Sequence, residues 1–289
     1  MSASFTKKRL DLTITLGEGA FGDTVGDTVT LSGLRMTASA VSPGGETMGA
    51  LQLRVFGLPQ TMMNQLTTIG QVNRAIRTKN SILLAAGDDE SGMQTVFQGT
   101  IFDAWADYGS APEVAFNIIG YAGLDAAVKP VNALSFKGSA DVAQIMSGLA
   151  DTMGLTFENN GVSAQLSNPY FPGTALTQVK SCARAANILF VIDRGTLAIW
   201  PRGASRAGEI PMISPETGMV GYPAPSSKGM TVHMIFNWNI RQGGDVLVQS
   251  SIPMATGKFH VFNVSHELSS EMPGGPWFTT MECFNASAT

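Results

Sequence analysis

The sequence predicts a β-rich α+β protein, in which β segments from both ends of the chain build one or two β-barrel domains around an inserted small α/β domain. Two observations carry this prediction. Apolar and polar residues alternate before residue 133 and again after residue 203, while apolar residues recur at helical spacing between these limits. The expected domains are residues 1–132, 133–203 and 204–289. A chain of 289 residues suits such a division.

The first region begins with a clear strand over residues 8–16, where Leu10, Leu12 and Ile14 share one face. Pro59 suits the first turn of a helix whose apolar positions recur from Leu58 to Ile69 and which Gly70 ends. Further strands are expected at residues 28–31, 34–41, 50–56, 81–86, 95–104 and 113–121.

The middle region carries two amphipathic helices and a hairpin. Ser139 is the expected N-cap of the first helix, and Thr174 the expected N-cap of the second. Strands at 188–192 and 196–200 are joined by Asp193-Arg194-Gly195, interpreted as a three-residue hairpin loop. The apolar stripe of the first helix consists of Val142, Ile145, Met146, Leu149 and Met153.

The last region resumes the β pattern. After residue 203 the chain is rich in turn residues up to Lys228. Strands are then expected at residues 230–238, 245–250, 259–266 and 277–284. These strands either complete the first barrel or add a second one.

Composition favours assembly over binding of nucleic acid. Charged residues make up 14% of the chain, against about 25% in typical soluble domains, and the net charge is −4. The basic run at residues 7–9 opens a strand and is interpreted as a solvated edge. A low-charge surface is easily buried against neighbouring subunits, so a multi-subunit assembly is expected.

The expected compartment follows from absent signals. The N-terminus lacks an apolar signal-peptide core, and no run of about 18 apolar residues occurs. Cys182 and Cys283 are far apart and lie in predicted element interiors, so no disulfide framework is expected. Synthesis in the reducing cytoplasm, without stable membrane association, fits these features.

The motif that most resembles a functional site is Gly17-Glu18-Gly19-Ala20-Phe21-Gly22, spaced as G-x-G-x-x-G. A phosphate-binding loop of this kind needs either a following helix or the remaining kinase motifs. Residues 23–29 are turn-like and β-like instead. We therefore interpret Gly17–Gly26 as the tip of a long hairpin.

No other constellation indicates catalysis or metal binding. His260 and His266 are too far apart along an extended strand to share a metal, and His233 can approach only one of them. Cys182 is interpreted as a small buried apolar residue, and residues 88–90 as a solvated turn. Ser, His and Asp all occur, but no G-x-S-x-G elbow does. The expected catalytic, cofactor-binding and metal-binding residues are therefore none.

Several segments together resemble the baseplate hub family of tailed bacteriophages. They cover nearly the whole chain in order, although each is a weak pattern by itself. They are LQLRVFGLPQTMMNQLTTIG, FQGTIFDAWADY, FKGSADVAQIMSGLADTMGLTF, ILFVIDRGTLAIWPRG, SPETGMVGYPAPSSKGMTVHMIFNWNIRQGGDVLVQSS and the closing pair KFHVFNVSHEL and WFTTMECF.

The resemblance implies a structural virion protein made in the host cytoplasm. Its expected form is a homotrimeric hub, with tail-tube-like β-barrels, that joins the tail tube or distal tail protein to the central spike. It also implies contact with the tape measure protein and a channel through which DNA passes without specific binding. No catalytic residue and no cofactor are implied.

Two other classes of function stay open at this point. A carbohydrate-binding β module could use Trp105, Trp200, Trp238 and Trp277 as stacking faces. An enzyme of unrecognised type is the third class, since the inventory of residues does not exclude one.

Overall fold

The computed structural model describes residues 6–21, 26–68, 80–109 and 111–285. Before residue 133 the strands are β1 (Arg9–Thr15), β2 (Thr28–Leu31), β3 (Met36–Ser42), β4 (Ala50–Phe56), β5 (Ser81–Asp88), β6 (Gly92–Asp107) and β7 (Ala115–Tyr121). After it they are β8 (Leu134–Ser135), β9 (Ser139–Asp141), β10 (Thr156–Asn159), β11 (Gln165–Ser167), β12 (Tyr170–Phe171), β13 (Ile188–Asp193), β14 (Thr196–Pro201), β15 (Met212–Ile213), β16 (Ala224–Pro225), β17 (Met230–Ile235), β18 (Asp245–Val248), β19 (Gly257–Ser270) and β20 (Trp277–Asn285).

Four α-helices accompany these strands in the described part of the chain. They are α1 (Gln60–Leu66), α2 (Leu124–Val128), α3 (Val142–Thr152) and α4 (Ala175–Ala185), and 3-10 turns occur at Pro215–Thr217 and Pro253–Ala255. Strand-rich ends around a helix-containing middle are what the sequence predicted. The shortest strands and α2 were not predicted, because two to five residues are too few to show a period.

One large sheet unites the two ends of the chain. Its thirteen strands run in the order β16-β17-β20-β19-β3-β4-β7-β6-β5-β1-β2, while β18 pairs with β19 and carries β15. The connection is the antiparallel pairing of β19 with β3, from Val264↔Ser42 to Ser270↔Met36. Strands more than 200 residues apart in sequence therefore form one continuous hydrogen-bonded surface.

Strand β19 makes this union possible because it is long and has a bulge. Its first residues pair with β18, up to His260↔Asp245, and its later residues pair with β3 on the same side. On its other side β20 follows the whole strand, with a register shift between Val261 and Asn263. A bulge of this kind bends a strand, so that β19 serves both neighbours.

The predicted strand faces are confirmed in the first region. Leu10, Leu12 and Ile14 are buried, and β1 pairs antiparallel with both β2 and β5. The predicted helix after Pro59 is present as α1, with Pro59 as its N-cap residue and Thr67 as its C-cap. Ile69 and Gly70, which the sequence placed at the end of this helix, lie outside the described residues.

The middle segment has its own small sheet and two capped helices. Strands β10-β14-β13 form this sheet, with β10 and β14 parallel. Thr174 caps α4 as predicted, because its hydroxyl accepts from the Thr177 amide at 3.3 Å. Ser139 is not the cap of α3, and that prediction was wrong. Asp141 caps it, accepting from the Ala143 amide at 2.7 Å, since Ser139 is engaged in β9 opposite Ser167.

The hairpin between β13 and β14 has a tighter turn than predicted. Asp193 pairs with Thr196, so the loop consists of two residues, Arg194 and Gly195, rather than three. Both adopt positive φ, 50° and 76° respectively. Two left-handed residues are typical of a type I′ turn, whose twist matches that of the flanking strands.

Buried side chains form two principal cores. The larger core joins the inner faces of the first-region strands to α3, α4, β13 and β14, so the middle segment packs directly on the first region. The second core belongs to the last region and contains Ile213, Val232, Met234, Val246, Val264 and Met281, among others.

Candidate assembly surface

An uncharged row of side chains crosses the large sheet from one end to the other. Directly opposed residues share a face of a sheet, so the pairing registers identify every member of the row. In strand order the row is His233, Thr280, Ser265, Val41, Ala50, Tyr121, Thr100, Ser81, Thr15 and Thr28.

Hydroxyl groups link neighbouring strands along this row. The Thr15 and Thr28 hydroxyls lie 3.0 Å apart, and His233 Nδ1 lies 2.9 Å from the Thr280 hydroxyl. Most members are partly or fully exposed, although Thr100 is buried. The row is therefore a polar, uncharged stripe that spans ten strands.

The next row along the same face carries carboxylates. It crosses seven strands and contains Glu267 and Asp103 but no basic residue, and Ser39 donates a hydrogen bond to Glu267 at 2.6 Å. Arg54 lies one row further along, 4.0 Å from Asp107. Among the residues that the structure describes, the central part of this face thus offers no cluster of cations to a phosphate backbone.

The opposite face of the sheet is anchored by a buried ionic junction. Arg206, with 3% of its side chain exposed, donates to both carboxylate oxygens of Glu158 at 2.9 and 3.0 Å and to Asp193 at 3.0 Å. Arg194, at the hairpin tip, donates to the carbonyl oxygens of Trp238 at 2.8 Å and Ile240 at 3.3 Å. These contacts tie the middle segment to the last region.

The ionisation of the junction follows from burial and pairing. Burial alone raises the pKa of Asp193, but Arg194 and Arg206 outweigh it, so the net pKa is lowered. Burial also raises the pKa of Glu158, but hydrogen bonds from Arg206 outweigh it, so the net pKa of Glu158 is lowered as well. Burial, reinforced by Arg194, lowers the pKa of nearby His266 to about 3. The junction is therefore ionised and His266 neutral at physiological pH.

One cluster contains the three residue types of a hydrolytic triad in the wrong arrangement. Ser205 donates to Asp245 at 2.6 Å, and His260 Nδ1 lies 3.1 Å from the same Asp245 oxygen. A triad needs the serine hydroxyl on the histidine, which must accept its proton. Lys258 also pairs with Asp245, at 2.7 Å. The cluster joins β18, β19 and the preceding loop and has no nucleophile–base contact.

The other residues considered for chemistry have structural contacts. His266 Nδ1 lies 2.9 Å from the Thr279 hydroxyl inside the sheet. Cys182 and Cys283 are fully buried free thiols, and burial raises the pKa of each to about 12. Within the described ranges, no group of three or more His, Cys, Asp or Glu side chains converges on a metal-sized site.

The loops considered as ligand sites also differ from binding loops. Gly17 to Phe21 connect β1 to β2, the Leu16 amide donates to Asp27 at 2.8 Å, and Gly22 lies outside the described residues.

Asp88 was predicted to be solvated, which is wrong. Its carboxylate is buried, caps the β5–β6 turn and pairs with Lys8 at 2.9 Å. Residues 7–9 are thus engaged in ion pairs rather than merely solvated.

The tryptophans do not form a common stacking platform. Trp200 is buried against Val191 and Ala198, and Trp277 packs edge-on against Phe236. Trp105 lies on β6, whereas Trp238 lies in the loop that receives Arg194. No described helix is long and apolar enough to cross a membrane.

The fold is that of tail proteins. A prophage MuSo2 43 kDa tail protein from Shewanella oneidensis matches with a TM-score of 0.62 at 10% identity, covering 98% of each chain. A tail protein from Neisseria meningitidis matches with a TM-score of 0.60 at 10% identity, covering 96% of each. A type VI secretion component from E. coli matches with a TM-score of 0.57 at 9% identity, covering 86% of this chain and 73% of the other. No curated protein sequence matches the chain.

The sequence itself gives the family. The profile of the family described as baseplate hub gp41 matches residues 9–283, and the chain belongs to this family. It is therefore a structural protein of the phage tail tip and a component of the virion, as the resemblance implied. The predicted family is confirmed.

Proposed function

We propose that the chain is a homotrimeric hub that joins the tail tube, or a distal tail protein, to the central spike and lines the tail channel. The observation that carries this proposal is the uncharged row across ten strands of one sheet. A channel wall must let DNA pass without binding it, because each contact between a phosphate and a cation would slow the passage of the DNA. A neutral stripe beside a row with two carboxylates meets that requirement.

The partners follow from this position in the tail. The tape measure protein would meet the same uncharged face before DNA does, while the tube and the spike would contact the two ends of the ring. The fold is shared with the E. coli type VI secretion component, which is structurally similar to the T4 tail proteins gp27 and gp5, and this supports a spike-type neighbour. Non-enzymatic function is consistent with the separate contacts of Ser205 and His260 to Asp245.

The test of the trimer is the symmetry of the assembled tail tip. Cryo-electron microscopy of tails that contain this chain should show three copies around the axis, with the face of Thr280, Ser265 and Tyr121 towards the lumen. Six, two or one copies around the axis, or a lumen lined by another face, would contradict the proposal. Symmetry should be assigned without imposing it during reconstruction.

We further propose that residues 133–203 are an inserted α/β domain between tail-tube-like barrel regions, residues 1–132 and 204–289. The separate three-stranded sheet and the two capped helices support the insert. The 2.5 Å ion pair between Lys7 and Glu271 supports barrel closure. It brings the segment just before β1 beside the turn after β19, although these strands are six positions apart in the sheet order.

Native-state hydrogen exchange on the whole chain tests this division. We expect amides of α3, α4, β10, β13 and β14 to share one opening free energy that differs from that of the large sheet, because separate sheets open as separate cooperative units. Limited proteolysis should cut near residues 133 and 203 first. A single opening free energy for all slow amides would contradict the division, since the two parts would then unfold together.

A further inference from the structure

The last region carries a cluster of exposed apolar side chains at one end of the sheet. Met212 and Leu247 are register partners on β15 and β18 and are both exposed, as is Ile210 just before β15. The loop after β18 adds Ile252 and Met254, the latter 94% exposed. We call Ile210, Met212, Leu247, Ile252 and Met254 the apolar knob. Exposed apolar clusters of this kind mark interaction sites.

The loop that carries Met254 is held in place by hydrogen bonds. The Thr256 hydroxyl donates to the Ser250 carbonyl at 2.8 Å and accepts from the Ser250 amide at 3.1 Å. The Gln249 amide donates to Ile213 at 2.8 Å, and Ala255 is buried beneath the tip. An ordered loop loses little conformational entropy on binding, which favours its use as an interface anchor.

The first region carries an open groove of about 520 Å³, which is lined by apolar side chains as the knob is. Its charged side chains, Arg35 and Glu113, pair with each other at 2.8 Å. Residues 249–256 contain no charged side chain. Covering the groove with the knob would therefore leave no charge buried without a partner. The apolar lining is formed mainly by Phe56, Leu58, Met63, Tyr108 and Val114.

The knob of one molecule cannot fill its own groove. The groove lies where β4 ends and β7 begins, at the end of the sheet marked by Met36↔Ser270. The knob lies beyond Gly257, at the opposite end of β19. Gly257 and Ser270 are the two ends of this 14-residue strand, which puts them about 40 Å apart at roughly 3.3 Å per residue. The partner that brings knob and groove together must be another molecule.

We propose that the apolar knob of one copy docks into the Phe56–Tyr108 groove of the next copy around the hub ring. A three-fold ring needs a heterologous contact, made by two different surfaces of the same chain, because an isologous contact closes at two copies. Knob and groove are two such surfaces: both expose apolar side chains, and the two charged side chains of the groove already pair with each other. This inference rests on the proposed ring and names the surfaces that form it.

Disulfide trapping tests the contact directly. In a Met254→Cys, Tyr108→Cys double variant of the full chain at high concentration, mild oxidation should give intermolecular dimers and closed rings on non-reducing gels. An intramolecular bridge is excluded, since disulfides need Cα atoms within about 7 Å. The native thiols Cys182 and Cys283 are buried and stay unreactive. Disulfide trapping also captures transient encounters. The contact should therefore be detected even if mass measurements show that the chain is a monomer in solution.

The matched control moves one cysteine to another exposed aromatic position. Met254→Cys with Tyr170→Cys should cross-link at least tenfold more slowly than the knob–groove pair, because Tyr170 lies on β12 in the middle segment. Adding Ile252→Asp to the knob–groove pair should slow its cross-linking at least tenfold while leaving the melting temperature unchanged. Equal rates for the two cysteine pairs, or no effect of Ile252→Asp, would overturn the inference.

The outcomes separate this contact from the proposed function. Rapid cross-linking that yields closed rings of three copies supports both the knob–groove contact and the three-fold ring. Rapid cross-linking that closes at another number upholds the contact and contradicts the three-fold ring. A three-fold hub in assembled tails, together with knob–groove trapping no faster than the control, overturns the contact and leaves the proposed function standing.

Discussion

Replacing Arg206 by methionine is expected to lower the free energy of unfolding by about 3–5 kcal/mol, because the change removes the cation that donates hydrogen bonds to the buried Asp193 and the partly buried Glu158. Arg206 is almost completely buried between Glu158 and Asp193. Methionine keeps much of the apolar stem, so the loss measures the charge rather than a cavity. Urea denaturation at pH 7, followed by circular dichroism, gives the free energy.

The matched control is Arg184→Met. Arg184 also forms a bidentate pair, with Glu46 at 2.6 and 2.9 Å, but its side chain is 70% exposed. Little or no change in stability is expected there, because solvent already screens the pair. Equal losses in the two variants would show that the junction of Arg206 has no special role in joining the middle segment to the last region.

The pH dependence has a definite sign. The pKa values of Glu158 and Asp193 are lowered in the folded protein, so their pairing stabilises the fold above their unfolded pKa values. That stabilisation is lost as pH falls through the folded values. In the Arg206→Met protein the carboxyl groups lose a cation and protonate more readily. The stability difference between the two proteins should therefore shrink on acidification from pH 7, and a difference that grows would contradict this account.

Replacing Phe116 by alanine is expected to cost about 3–5 kcal/mol, since it removes a completely buried aromatic ring from the larger core. Phe116 lies on β7 opposite Val55 and Ala106, on the inner face of the sheet. The adjacent Asn117 points to the other face, next to Arg54 and Trp105. Asn117→Ala should change stability by less than about 0.5 kcal/mol.

This pair of variants separates the core face of the sheet from the assembly face. We propose that the face carrying Asn117 is exposed in the monomer and lines the ring in the assembled tail. Substitutions on this face should then leave the stability of the monomer unchanged and affect only the assembled tail. A loss for Asn117→Ala that approaches the loss for Phe116→Ala would show that the outer face is itself packed in the monomer. Thermal melting of the isolated chains is sufficient to compare them.

Local patterns predicted much of the strand and helix content. Alternation placed β1 and β4 correctly, because a half-buried strand must alternate apolar and polar residues. Thr174 was found as a cap because its hydroxyl precedes an amphipathic run. Ser139 was predicted as the cap of α3 by the same rule, and the pairing of β9 with β11 decided against it. Such a pairing depends on a contact with a distant segment, which a local pattern does not contain.

The sequence by itself determined the family, the β-rich ends, the helical middle and the absence of a recognisable catalytic motif, since these follow from residue order and local periodicity. Only the tertiary structure decided that both ends share one sheet through β19 and β3, that ten strands align an uncharged row, and that Arg206 lies buried between two carboxylates. The physical reason is the same in each case. Register and burial are set by partners far away in sequence, and a one-residue change of register would move every side chain of a strand to the other face.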